Sequence, residues 1–93
     1  MNIVLNDIKY ELLKNVREGF DKEEVENKAT DYFKPFDYIV GDWAYGKLRL
    51  KGFYDKDNKS CKDINNIEFV DKYITENCAF NCKYFILKKC IQK

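Results

Sequence analysis

The chain has 93 residues, which sets the expectation of one domain spanning residues 1–93 with a modest core. Seventeen basic residues stand against sixteen acidic ones, and a net charge of +1 excludes whole-chain attraction to nucleic acid or an anionic membrane. No stretch approaches the ~20 apolar residues of a membrane-spanning helix, and aromatic rings, 16% of the chain, must fill much of the core.

The opening residues, MNIVLNDIKYE, carry no charged leader and no apolar run of signal-peptide length. The expectation is therefore a cytoplasmic protein whose cysteines stay reduced. Residues 3–5 and 8–13 read as two short strands around an Asn6-Asp7 turn, and residues 15–19 break the pattern. A helix follows. Asp21 can cap its free N–H groups, Glu24 stands three residues later, and Phe20 can pack on Val25 as a staple. Val25, Ala29, Tyr32 and Phe33 share one helical face. Pro35 ends the helix and pushes Lys34 towards an extended conformation.

Residues 36–54, FDYIVGDWAYGKLRLKGFY, hold the single tryptophan, one of two arginines and three of the four glycines. They read as the central hairpin, with strands over 36–42 and 47–54 and a four-residue loop over 43–46. That loop sets Asp42 opposite Lys47, Val40 opposite Arg49 and Tyr38 opposite Lys51. Strand alternation then gives Ile39, Gly41, Leu48 and Leu50 to the core side. Gly41 and Gly52 leave room for a helix or for Trp43 to pack close to the sheet. Residues 55–61 are polar turn material. A second helix runs from about Asp63, as its N-cap, to about Asn77, with Ile64, Ile67, Val70, Tyr73, Ile74 and Asn77 as its apolar stripe. Residues 83–90, KYFILKKC, read as the last strand. The predicted fold is α+β: a mainly antiparallel sheet of about five strands with two helices, in the order β-β-α-β-β-α-β.

DYIVGDWAYGKLRLKGFY, followed by a helix and CAFNCKYFILKK, resembles the YutD-like family of small cytosolic proteins from low-GC Gram-positive bacteria. The likeness runs from about Ile3 to Lys89, and its most specific part is GDW-x-Y-G-x-LRLKGF. Ala44 departs from it, since glycine is expected there more often. The resemblance implies the α+β fold and a bacterial cytosolic home, and it supplies no catalytic residues.

Cys78 and Cys82, with three residues between them, fall within zinc-finger spacing and are the weak metal candidates. A helix between Cys61 and Cys78 separates those two by about 20 Å, and a strand between Cys82 and Cys90 adds about 25 Å. Two pairs, Cys61 with Cys90 and Cys78 with Cys82, are expected instead of a tetrad. Four ordinary reduced thiols are the plainer reading. No cofactor is expected.

Lys47, Arg49 and Lys51 alternate along one strand, with Trp43 and Tyr45 at the hairpin tip and Phe53 at its far end. Residues 44–62 carry six basic and two acidic residues, while residues 21–31 and 63–77 each net −3. Asp42, Trp43, Tyr45, Lys47, Arg49 and Lys51 form the candidate contact surface of a non-enzymatic binding or adaptor protein with a protein partner. RNA or single-stranded nucleic acid is the second reading, since cations beside exposed rings suit phosphates and bases. A metal-assisted phosphoester hydrolase using Asp42 and Asp55 is the third. Arg49 is the leading candidate, because its planar fork makes contacts a lysine does not. The competing account is an ion pair with a carboxylate such as Asp42.

Overall fold

The computed structural model describes residues 2–77 and 83–90. Five strands, β1 (Asn2–Leu5), β2 (Ile8–Val16), β3 (Tyr38–Ala44), β4 (Lys47–Phe53) and β5 (Tyr84–Lys89), form one antiparallel sheet in the order β1-β2-β5-β3-β4. Two helices, α1 (Lys22–Lys28) and α2 (Val70–Asn77), complete the predicted α+β order. No helix among the described residues is long and apolar enough to cross a membrane.

The two helices serve opposite faces. Ile39, Leu48, Phe85 and Leu87 pack with Val25, Ala29 and Phe33 on the α1 side. Val40, Phe53 and Ile86, the alternate residues of the same strands, pack with Val70, Tyr73 and Ile74 on the α2 side. β3 and β5 are buried on both faces: Ile39 to Asp42 in β3 and Phe85 to Leu87 in β5 are consecutive buried residues. By strand order the centre of the sheet is β5, and the 36–54 hairpin lies to one side with β4 as an edge strand.

The opening hairpin forms on its expected turn, with Asn6 and Asp7 both at positive φ. Strand β2 runs three residues further than expected, to Val16, by pairing with β5 across a bulge at Leu13. Arg17 and Glu18 then reverse the chain at positive φ. Gly19 follows where a Cβ would press on the Tyr84 backbone, 2.6 Å from its nitrogen.

Asp21 caps α1 as expected, its Oδ1 accepting from the Glu24 N–H at 3.2 Å. Phe20 packs against the core that holds Val25, edge-on to Phe85 at 5.3 Å between ring centres. Helix α1 stops at Lys28, earlier than its apolar spacing suggests, because Ala29 is already extended. A 3-10 turn over Asp31–Phe33 then buries Phe33 and leaves Tyr32 exposed. Lys34 is right-handed helical, not extended: it closes that turn by donating to Asp31 O at 3.1 Å, and this local bond outweighs the steric push of Pro35. Asp21→Ala is expected to lose about 1 kcal/mol in urea unfolding. Retention of full stability would show the cap bond to be idle.

The second helix also starts later than expected. Asp63 opens a 3-10 turn (Asp63–Asn65), Asn66 is extended, a second 3-10 turn covers Ile67–Phe69, and α2 proper begins at Val70. The cause is a pull from the sheet. Tyr54, just past β4, donates to Asn65 O at 2.7 Å and accepts from Ile67 N at 3.0 Å, which holds Asn66 out of the helix. Ile64 consequently leaves the apolar stripe and is 75% exposed.

Candidate functional site

The β3–β4 hairpin turns through two residues, Tyr45 and Gly46, both at positive φ, instead of the expected four. Such a turn matches the twist of its strands, and strand pairing extends to Trp43 and Ala44. The register shifts by two residues: Asp42 lies opposite Arg49, Val40 opposite Lys51 and Tyr38 opposite Phe53. A shift of two keeps every side chain on its expected face, so Ile39, Gly41, Leu48 and Leu50 do form the α1 side of the hairpin. Ala44 sits in β3 and the left-handed positions fall after it.

Asp42 is 1% exposed, buried beneath the α2 side, and Arg49 grips it bidentately. Nε donates to Oδ1 at 3.0 Å and Nη2 donates to Oδ2 at 2.8 Å. The Arg49 side chain remains 45% exposed. The hydrogen bond to Asp42 raises the Arg49 pKa further above its ordinary value. Burial raises that of Tyr73 on α2, and the Asp42 charge adds to the effect. The expected opposition of Asp42 and Lys47 is thus replaced by the Asp42–Arg49 pair, which the competing account of Arg49 foresaw.

Trp43 is a structural side chain. It points to the α1 side, packs on that core, and its Nε1 donates to Gly19 O at 2.7 Å. The cations Lys47, Arg49 and Lys51 lie on the other face of the hairpin. Phe53, expected at the far end of the basic row, is buried. Lys51 lies near the Phe53 and Tyr73 rings, 5.4 and 5.5 Å from their centres. Tyr45 is 103% exposed at the turn, in a left-handed conformation that costs a non-glycine residue about 1 kcal/mol.

Beside Lys51 lies a cleft of about 520 Å³ between β4 and α2, floored by Phe53 and Tyr73. Its rim carries Ile64 and Phe69, the latter 44% exposed. The sequence reading missed this feature, because Ile64 at helical spacing looked like core.

The carboxylates proposed for hydrolysis are not brought together. Asp37 Oδ2 accepts from the Asp55 N–H at 2.9 Å and from Asn58 Nδ2 at 3.0 Å, so the Asp55 backbone is anchored at the start of β3. Asp42 is five residues further along that strand, about 16 Å away at 3.3 Å per residue. Asp42 and Asp55 therefore cannot share a metal. The described residues contain no group of three or more His, Cys, Asp or Glu placed to hold a metal ion. Cys78 and Cys82 lie outside the described residues. Cys90 is a half-buried free thiol just after β5, with its N–H donating to Lys9 O at 2.8 Å, and Cys61 is half-buried at the end of the 55–61 loop.

Comparison with known proteins agrees with this architecture. The family described as "Putative antitoxin YutD-like" matches over residues 4–88. The protein named "Putative antitoxin YutD" from Bacillus subtilis (strain 168) is 42% identical over 87 residues, covering 94% of this chain and 96% of the relative. The solution NMR structure of protein yutD from B. subtilis superimposes with a TM-score of 0.83 at 40% identity, covering 99% of this chain and 84% of that one. The hairpin motif, the sheet and the match over nearly the whole chain converge: the chain belongs to the YutD-like family.

Proposed function

We propose that this chain is a small cytoplasmic binding protein whose counterpart is another protein, docked on the face made by β4 and α2. The observation that carries the reading is the cleft beside Lys51, rimmed by the exposed apolar side chains of Ile64 and Phe69. Exposed apolar groups around a concave surface, next to aromatic rings and cations, have the composition of a protein interface. Tyr45 adds to it, since a strained turn residue with a fully exposed ring suits a contact outside the fold. An antitoxin has a toxin as its counterpart, so the name of the Bacillus subtilis relative fits a protein partner.

The nucleic-acid reading is less well supported. It needs Trp43 beside the basic row, and Trp43 is packed on the opposite face with its indole N–H engaged.

A photo-crosslinking residue placed at Phe69 in the native host tests the proposal, with the same residue at Val4, on the far edge strand, as control. A discrete protein adduct is expected from position 69 only, and Ile64→Asp should abolish it. Identical adducts from both positions, or adducts at 69 that ribonuclease removes, would overturn the reading.

A further inference from the structure

Among the described residues, the edge of β4 is only partly used. In an antiparallel ladder, residues that bond to the neighbouring strand alternate with residues whose N–H and C=O point away. The Tyr45-Gly46 turn makes Ala44 and Lys47 the bonded closing pair, so Lys47, Arg49, Lys51 and Phe53 face β3. Leu48, Leu50, Gly52 and Tyr54 therefore turn their backbone groups outwards. β3 keeps the same alternation on its other side, where the Trp43 N–H donates to Lys83 O at 3.2 Å.

The chain occupies the last of those four positions itself. Tyr54 makes a parallel bridge to Asn66, with bonds of 2.7 and 3.0 Å to the flanking residues. A sixth strand is thus begun beside β4 and stops after one residue. Alongside the remainder of the edge, a second hollow of about 230 Å³ borders Leu50 and Gly52, flanked by exposed Tyr32 from one layer and Ile64 from the other. Lys47 and Lys51 project along this strand on the α2 side.

We infer that the outer edge of β4, at Leu48 and Leu50, accepts an extended acidic segment of the protein partner as a sixth strand. This deepens the docking proposal and rests on it. Backbone groups of Leu48 and Leu50 supply the pairing, and Tyr32 and Ile64 flank alternate side chains of the incoming strand. Lys47 and Lys51 select carboxylates on its α2-side positions. The same lysines argue against a second copy of this chain. Antiparallel pairing of two β4 edges would bring both rows of Lys47, Arg49 and Lys51 onto one face, cation against cation.

The probe is a blocked peptide of alternating glutamate and valine, six residues long, titrated into the isotope-labelled protein. Slower amide exchange is expected at Leu48 and Leu50, while Lys47, Arg49 and Lys51, already bonded inwards, change little. A lysine-valine peptide should give no such effect. Leu50→Pro removes one outward donor and leaves the ladder bonds in place, and binding should weaken about tenfold or more. Should that variant fold poorly, the Lys47→Glu/Lys51→Glu protein serves, and it should prefer the lysine-valine peptide.

Shifts confined to Ile64, Phe69 and Tyr73, without protection at the edge, would overturn strand addition while leaving the docking face intact. Protection of Leu48 and Leu50 that grows with protein concentration alone would overturn it in favour of self-pairing. An unresponsive edge with both peptides would overturn it outright.

Discussion

Gly41→Ala is expected to lower stability by about 3 kcal/mol, at the upper end for an added methyl group in a packed core. A Cβ at Gly41 would fall inside the Phe85 ring, in contact with three of its carbons. Neither side can yield. Phe85 is fully buried on the central strand and held edge-on by Phe20, and Gly41 lies in β3, which is paired on both sides. For a domain of this size such a loss lowers Tm by roughly 12–24 °C. Thermal and urea unfolding would measure it. Phe85→Leu supplies the check, because a smaller side chain should make the alanine less costly. A Gly41→Ala/Phe85→Leu double variant as unstable as the two single losses added together would show that the ring is not the obstacle.

Arg49→Leu should cost about 2–3 kcal/mol. Removing one partner of a fully buried pair costs about 3–5 kcal/mol, and the half-exposed guanidinium calls for a discount, since water already screens part of the interaction. The loss comes from Asp42, which is left 1% exposed without its two charged donors. Arg49→Lys can restore one of the two bonds and should fall between wild type and leucine, whereas Lys51→Arg should be tolerated. Asp42→Leu/Arg49→Leu should recover most of the lost stability, because the pair can be replaced by apolar groups when both go together. Equal stability of Arg49→Leu and wild type in urea would mean that Asp42 has another source of compensation. This experiment also separates folding from binding: an Arg49 variant that unfolds early says nothing about a contact surface, while Lys47 and Lys51 variants do.

The residues around this pair show what could be read in advance. The GDW and LRLKGF segments mark the hairpin, and alternation assigns its faces correctly although the turn has two residues and not four, because the difference is an even number of residues. The pairing of Asp42 with Arg49 depended on that turn. Tyr45 at positive φ is an unusual choice for a two-residue turn, and nothing in its residue type signals it. Trp43 was ambiguous for a different reason: near a loop tip an indole serves a ligand or a core equally well, and only the Gly19 carbonyl, 24 residues away in the chain, decides.

The sequence by itself determined the order of the elements, the capped start of α1, the polar 55–61 loop and the inward faces of the strands. Each of these rests on contacts between near neighbours, where propensity, capping and periodicity act directly. Tertiary structure decided the rest. Phe85, Ile86 and Leu87 are apolar in succession because β5 is covered on both faces, which placed the last strand at the centre and the prominent hairpin at the edge. Tyr54 took the start of the second helix out of its own hydrogen-bond pattern and tied it to the sheet. That long-range bridge exposed Ile64 and opened the cleft beside Lys51. Helical spacing registers only partners within one turn, whereas Tyr54 and Asn66, twelve positions apart, meet because the 55–61 loop folds the chain back.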